Sequence, residues 1–195
     1  YKPLHIGRIV IVPKWETYEP REGEIIIRMD PGMAFGTGSH ETTRLVIGLL
    51  EDSVTPGCHV LDVGTGSGIL AVCASKLGAA DCRAYDIDPV AVEVAAENAA
   101  ENGCANIETG RSDLLAGVAP GKYDVVCANI VADIIIRMAP DIGKFMHDES
   151  TLLASGIINE RASDVIDALE ANGFYIARAL EDNGWTALAV KKLIG

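Results

Sequence analysis

Residues 60–68, V-L-D-V-G-T-G-S-G, join an apolar strand pattern directly to three glycines. The apolar run Ile69–Leu77 follows at helical spacing, so the order predicts a strand, a glycine turn and a helix. Glycine allows positive φ and lets a ligand approach the backbone where a Cβ would collide. The free N–H groups at the start of the next helix would then face that ligand.

A second anchor of the predicted site lies 22 positions after Gly64. Asp86 follows the predicted strand Asp81–Ala84. An acidic residue at this distance, at the tip of the neighbouring strand, is placed to accept hydrogen bonds from a ribose diol. The glycine turn and Asp86 together predict an adenosine site and disfavour a bare turn without a ligand.

The spacing of the glycines argues against a dinucleotide. A dinucleotide fingerprint, G-x-G-x-x-G/A, needs a small residue at position 69, where this chain has Ile69. The pattern here is G-x-G-x-G, which resembles the first motif of S-adenosylmethionine-dependent methyltransferases.

Composition limits the remaining possibilities. A chain of 195 residues suits one α/β domain, and a net charge of −12 disfavours a nucleic-acid surface while suiting a basic protein partner. The five cysteines have no metal-binding or redox spacing, which predicts reduced thiols and no metal site. Neither a signal peptide nor a membrane-length apolar segment is evident, so we expect a soluble, cytoplasmic protein without membrane contact.

The region before the glycine turn contains two predicted strands and a second glycine-rich loop. The strands are Ile9–Val12 and Glu24–Arg28, and the loop is Asp30–Glu41, with a lone aromatic residue, Phe35. Such a loop is typical of a mobile flap that closes over a ligand. In the predicted helix Thr42–Leu50, the first two threonines can cap the helix or offer a hydroxyl to the charged end of the ligand.

Two further polar residues follow predicted strands. Asp113 follows the predicted strand Ile107–Gly110, where it can accept a hydrogen bond from the exocyclic amine of adenine or cap a turn. Asn129 ends Lys122–Asn129, a nearly continuous apolar run of the kind that is covered on both faces. Because sites in open α/β sheets lie at the carboxyl ends of strands, Asn129 should face the reacting group.

The end of the chain predicts an antiparallel hairpin. Phe174–Leu180 and Trp185–Lys191 have strand patterns and flank E-D-N-G, in which Asn183 and Gly184 favour a type I′ turn. They follow another predicted strand, Ser150–Ser155, which is the fifth when counted from the strand before the glycine turn, and a helix. An alternating βα chain with this ending resembles the seven-stranded, mostly parallel sheet of Rossmann-like class I methyltransferases.

Four segments carry a more specific resemblance: D-P-G-M-A-F-G-T-G-S-H-E-T-T, V-L-D-V-G-T-G-S-G-I-L-A, A-Y-D-I-D-P and V-V-C-A-N-I. Together they resemble the bacterial ribosomal protein L-eleven methyltransferase (PrmA) family across nearly the whole chain. The resemblance implies transfer of methyl groups from S-adenosylmethionine to lysine ε-amines and an α-amine of a ribosomal protein. It also implies that Phe35–Gly38 is a closing loop.

The resemblance and the motifs together give the expected site. Residues that position or contact the amine are Asn129, Ile130 and Phe35. Cofactor contacts are Thr43, Asp62, Gly64, Gly66, Asp86, Ile87, Asp113, Leu114 and Asn129. Because the family carries an N-terminal substrate-recognition domain, we expect residues 1–29 to be a linker with short strands and 30–195 to be the catalytic domain, with the recognition domain absent.

Methyl transfer mainly requires that a neutral amine be aligned with a sulfonium methyl carbon. An apolar wall of Ile130, Val131 and Phe35 would favour the neutral amine by desolvation, and the Asn129 amide would orient it. Other interpretations stay open at this point: a methyltransferase for another protein lysine or a small molecule, a nicotinamide dehydrogenase, and a non-catalytic nucleotide-binding module.

Overall fold

A computed structural model describes residues 2–30, 32 and 40–194. Near its N-terminus, β1 (Leu4–Ile6), β2 (Ile9–Val12) and β3 (Ile25–Arg28) form a small sheet in which β1 and β2 are antiparallel and β2 and β3 are parallel. Their buried side chains share an apolar core with the helix that follows. The strand prediction at residues 9–12 is confirmed, and the next strand begins one residue later than predicted.

The rest of the chain alternates strands and helices. Its elements are α1 (His40–Ser53), β4 (His59–Val63), α2 (Ile69–Lys76), β5 (Asp81–Asp86), α3 (Pro89–Glu101), β6 (Ile107–Arg111), β7 (Tyr123–Asn129), α4 (Ala132–Ile142), β8 (Met146–Ile158), α5 (Ala162–Ala171), β9 (Phe174–Asp182) and β10 (Trp185–Lys192). Single turns of 3-10 helix flank β8, at Gly143–Phe145 and Asn159–Arg161.

The main sheet has the order β6-β5-β4-β7-β8-β10-β9 in the described part of the chain. The first five strands are parallel, and β10 runs antiparallel to both of its neighbours. Asn183 and Gly184 both have positive φ, 48° and 88°, as a type I′ turn requires. The predicted mostly parallel sheet with a C-terminal antiparallel hairpin is therefore confirmed.

Helices cover both faces of this sheet. One apolar cluster joins it to α1, α2 and the small sheet, and a second joins it to α4 and α5. All five cysteines are buried and free. Within residues 2–30, 32 and 40–194, no helix is both long and apolar enough to cross a membrane.

Several boundaries differ from the prediction for local reasons. The helix predicted at Thr42–Leu50 begins at His40, so the capping interpretation of Thr42 and Thr43 is wrong, because both lie inside its first turn. Asp88 caps α3, since its side chain accepts a hydrogen bond from the Val90 N–H over 2.9 Å. Helix α4 was not predicted, because its apolar residues continue the pattern of β7 and it contains a proline.

Candidate functional site

A cavity of about 570 Å³ opens at the carboxyl ends of the parallel strands. The chain leaves β4 in one direction towards β5 and β6 and later returns to β7 on the other side, so the strand order reverses between β4 and β7. Ligands of open α/β sheets bind in the crevice at such a reversal. The glycine turn, which directly follows β4, therefore lies where a ligand is expected.

The glycine turn is fixed to β5 by its backbone. The N–H groups of Gly64 and Thr65 donate to the Tyr85 carbonyl over 2.9 and 2.8 Å. Gly64 has φ 73°, and a Cβ there would lie 2.8 Å from Ile130 Cγ2. Gly68 has φ 84°, and a Cβ there would lie 3.1 Å from Cα and Cβ of Ala95 on α3. Both positions thus favour glycine, because a side chain would be strained at this φ and its Cβ would crowd a neighbouring residue.

Asp86 lies at the end of β5 and lines the cavity. Its Oδ2 accepts the Gly66 N–H over 2.9 Å, and its Oδ1 accepts the Asp88 N–H over 3.0 Å. These bonds fix the orientation of the carboxylate. Since each carboxylate oxygen has two lone pairs, both oxygens retain acceptor capacity towards the cavity.

Asp62 lies on β4, just before the glycine turn, and is not among the residues that line the cavity. Its side chain is 1% exposed, and its Oδ2 accepts the Thr65 hydroxyl over 2.7 Å. Burial raises the pKa of Asp62 to about 7, although the Thr65 hydroxyl opposes this shift; the negative charge of Asp86 adds to it. The prediction that Asp62 contacts a cofactor stays a prediction, and its carboxyl is bound to the turn through the Thr65 hydroxyl.

Ile87, Asp113 and Leu114 form the wall beside Asp86. The Ile87 side chain is 56% exposed, which leaves a large apolar surface available to a ligand. Leu114 has φ 53°, in the left-handed region. Its strained conformation is held by Ser112, whose hydroxyl donates to the Leu114 carbonyl over 2.6 Å and accepts the Gly117 N–H over 2.8 Å.

Asn129 and Ile130 lie at the opposite end of the cavity, directly after β7. The Ile130 N–H donates to the Ser155 carbonyl over 3.0 Å. Gly156, with φ 80°, packs so closely that a Cβ there would lie 3.0 Å from both Asn129 Oδ1 and the Ile130 carbonyl oxygen. The Asn129 amide oxygen therefore packs against Gly156 of the neighbouring strand.

Thr42 and Thr43 complete this part of the wall from α1, and each is 1% exposed. The Ser155 hydroxyl donates to the Thr42 carbonyl over 3.3 Å. Phe35 and the predicted closing loop Phe35–Gly38 lie outside the described residues.

The cavity wall also contains residues that the sequence prediction did not include. Thr65 and Ser67 belong to the glycine turn itself. Gly156 lies near the carboxyl end of β8, so the rule that ligands bind at the carboxyl ends of strands covers it as well. Trp185 reaches the site because β10 inserts beside β8, where it pairs with Ile158. Two further wall residues, Ile134 and Arg137, come from the helix that was not predicted.

The cavity thus has two chemically different ends. Carboxylates lie at the ends of β5 and β6, where they can accept hydrogen bonds from hydroxyls and amines. An amide and apolar side chains lie at the end of β7, where an uncharged group can be held away from water. In the described part of the chain, no cluster of three His, Cys, Asp or Glu side chains could hold a metal ion.

Comparisons with known proteins agree with this arrangement. The chain is 50% identical over 193 residues to "Ribosomal protein L11 methyltransferase" of Caldanaerobacter subterraneus subsp. tengcongensis, which covers 98% of this chain and 62% of that protein. The chain therefore spans less than two thirds of the length of the curated relatives it matches.

Solved structures extend the comparison to three dimensions. A crystal structure of ribosomal protein L11 methylase from Lactobacillus delbrueckii subsp. bulgaricus matches with a TM-score of 0.93 and 37% identity, covering 100% of both chains. Precorrin-6y C5,15-methyltransferase from Geobacter metallireducens matches with a TM-score of 0.68 and 13% identity, over 82% of this chain and 94% of that one, and so shares the fold. The fold is thus that of class I S-adenosylmethionine-dependent methyltransferases.

A family model described as "Ribosomal protein L11 methyltransferase (PrmA)" matches residues 1–193. The glycine turn after β4, Asp86 at the end of β5 and Asn129 at the end of β7 lie within this match. Sequence, fold and site lead to the same assignment: the chain belongs to the ribosomal protein L11 methyltransferase family, PrmA.

Proposed function

We propose that this chain is the catalytic part of an S-adenosylmethionine-dependent methyltransferase that modifies lysine ε-amines and an α-amine of ribosomal protein L11. Residues 30–195 would form the catalytic domain, and residues 1–29 a linker with short strands. The observation that carries the proposal is one cavity with Asp86 at one end and Asn129 at the other. A net charge of −12 suits a basic ribosomal protein encountered in the cytoplasm.

The residues present fit S-adenosylmethionine. Asp86 offers oriented carboxylate oxygens to a ribose diol, and the positive-φ glycines leave the space beside the turn free of side chains. Ile87 and Leu114 offer apolar surface to adenine, Asp113 offers an acceptor to its exocyclic amine, and Thr43 lies on the wall for the methionine end. When bound, S-adenosylmethionine supplies an electrophilic methyl group on a sulfonium centre.

The chain's own contribution to the reaction is to hold a neutral amine. At pH 7 only about one free lysine in a few thousand is neutral, given its reference pKa. Apolar groups at the mouth, namely Ile130, Val131 and Trp185, favour that form because they cannot solvate an ammonium. The proton leaves to water before the amine docks, and Asn129 Oδ1 then accepts an amine N–H so that the lone pair is oriented. A strong general base is not required.

Isothermal titration tests the cofactor. We expect micromolar binding of S-adenosylmethionine and no binding of NADH. Asp86→Ala should weaken the binding at least about tenfold, because hydrogen bonds to a charged group are lost. Asp148→Ala, an exposed carboxylate outside the cavity, is the matched control. Binding of NADH instead would favour a dehydrogenase and overturn the proposal.

Transfer to the acceptor is tested with recombinant ribosomal protein L11 and radiolabelled methyl donor. Methylation of lysine ε-amines and an α-amine, located by mass spectrometry, is the expected result. Methylation of a different protein would contradict the substrate assignment. A chain that binds the donor but methylates no acceptor would be a non-catalytic binding module.

A further inference from the structure

Arg137 is an exposed cation in the cavity wall that the proposed reaction does not use. It lies on α4, and the wall residues Val131 and Ile134 precede it at intervals of three. Residues at this spacing lie on one face of a helix. The guanidinium is therefore presented at the Asn129 end of the cavity, beside the surface that an incoming acceptor would cross.

The carboxylates nearest to Arg137 along its helix are both occupied. Asp133 precedes it by four residues and is bound by Arg161 Nη2 over 2.7 Å. Asp141 follows it by four residues and is bound by Lys144 Nζ over 2.8 Å. Spacings of four residues normally favour ion pairs on a helix. Among the described residues, Arg137 nevertheless makes no hydrogen bond or ion pair.

The charged residues of the cavity wall are separated by the sheet. Asp86 and Asp113 lie at the ends of β5 and β6, whereas Arg137 follows β7. Strands β5 and β7 are two strand spacings apart, which is about 10 Å. The carboxylate of Asp86 also already accepts two backbone N–H groups. Hence Arg137 is an unpaired positive charge at the Asn129 end of the described wall, and the carboxylates of that wall, Asp86 and Asp113, lie at its other end.

We propose that Arg137 binds a carboxylate of the acceptor segment, close to the amine that is methylated. The proposal rests on the proposed function and names its acceptor class: a peptide segment in which an acidic side chain lies near the target lysine. A guanidinium forms paired, charge-assisted hydrogen bonds with a carboxylate, which fixes orientation as well as affinity. It also repels an acceptor whose neighbouring side chains are all cationic.

The acceptor for the test is the peptide of ribosomal protein L11 that the wild-type chain methylates, synthesised with its acidic residues replaced by amides one at a time. Replacement of the acidic residue bound by Arg137 should lower kcat/KM about tenfold in the wild-type chain. Arg137→Gln should lower kcat/KM for the native peptide by the same factor. In this variant the native and the amide-substituted peptide should then be methylated equally well. Arg137→Glu should instead prefer a peptide with lysine at the acidic position.

Two controls separate binding of the acceptor from other effects. Arg178→Gln removes an exposed arginine that pairs with Asp52 outside the cavity, and it should leave both peptides unaffected. Binding of S-adenosylmethionine to Arg137→Gln, measured by titration, should stay within about twofold of the wild-type value, since twofold is under 0.5 kcal/mol.

The outcomes are distinct. Equal losses for both peptides in Arg137→Gln, or a methylated peptide without a nearby acidic residue, would overturn the acceptor role. Tenfold weaker binding of S-adenosylmethionine would assign the guanidinium to the carboxylate of the methyl donor and also overturn it. If the wild-type chain binds the donor but methylates no peptide, the proposed function fails, and the acceptor role fails with it.

Discussion

The Thr65 hydroxyl donates a hydrogen bond to Asp62 Oδ2 over 2.7 Å and so ties the glycine turn to the strand beneath it. Asp62 is 1% exposed, and burial raises its pKa to about 7. A carboxyl with this pKa changes its charge near neutral pH, and it is hydrogen-bonded to the glycine turn. The stability of this region should therefore depend on pH.

We expect Asp62→Asn to remove part of the pH dependence of stability. An unfolded aspartate has a pKa near 3.9, so between about pH 4 and pH 7 the folded chain keeps a proton that the unfolded chain loses. The free energy of unfolding then falls as pH rises through this window and levels off above it. Between pH 5.5 and pH 8, the free energy of unfolding, measured with urea, should fall by about 2 kcal/mol more for the wild-type chain than for the variant.

Thr65→Val serves as the partner variant in this experiment. The Thr65 hydroxyl lowers the pKa of Asp62, so its removal should shift the fall in stability to higher pH. Parallel pH profiles of the wild-type chain and Asp62→Asn would show that Asp62 is ionised throughout the range.

Gly156→Ala should disable the site more than it destabilises the fold. A left-handed φ costs an alanine about 1–2 kcal/mol, and the new Cβ would lie 3.0 Å from both Asn129 Oδ1 and the Ile130 carbonyl oxygen. Gly173→Ala is the matched control, because Gly173 has φ 88° and nothing within 4 Å of its Cβ position. Both variants should lose similar stability, and Gly156→Ala alone should lose methyl transfer, at least about tenfold. Equal single-turnover rates for the two variants would contradict this.

The cysteines should react with a thiol reagent only after unfolding. All five are buried and free, and burial raises the pKa of the Cys73, Cys82 and Cys127 thiols. The reactive thiolate is therefore rare as well as inaccessible. Labelling with Ellman's reagent should be slow in buffer and should reach five thiols in urea. Rapid labelling of one thiol in the native protein would reveal a local opening.

Features that depend on a few consecutive residues were predictable from the sequence. The glycine turn, the Asp88 cap of α3 and the hairpin turn at Asn183 and Gly184 all follow from local backbone preferences. Placement of Asp86 and Asn129 at the cavity also followed, because one rule about carboxyl ends of strands covers both residues.

Features that depend on neighbours distant in sequence were missed. Strand β4 is buried on both faces, so alternation could not reveal that the Asp62 carboxyl accepts the Thr65 hydroxyl of the glycine turn. Trp185 lines the cavity only because β10 lies between β8 and β9. Arg137 was missed with its helix, since Pro140 and the preceding apolar strand concealed the helical pattern.

Asn129→Ala is expected to lower kcat roughly 10- to 100-fold, as the loss of one positioning hydrogen bond does. The amide oxygen is held against Gly156 at the end of β7, where it can orient an amine but is too weak a base to deprotonate an ammonium. The variant should therefore keep the pH dependence of the wild-type rate while the plateau falls.

Asn172→Ala, which removes a surface amide outside the cavity, is the control for the kinetic measurement. A shift of the pH profile in Asn129→Ala would mean that Asn129 influences protonation of the amine and not only its orientation. Normal binding of S-adenosylmethionine together with full turnover would show that Asn129 has no positioning role, and alignment would then fall to the apolar wall alone.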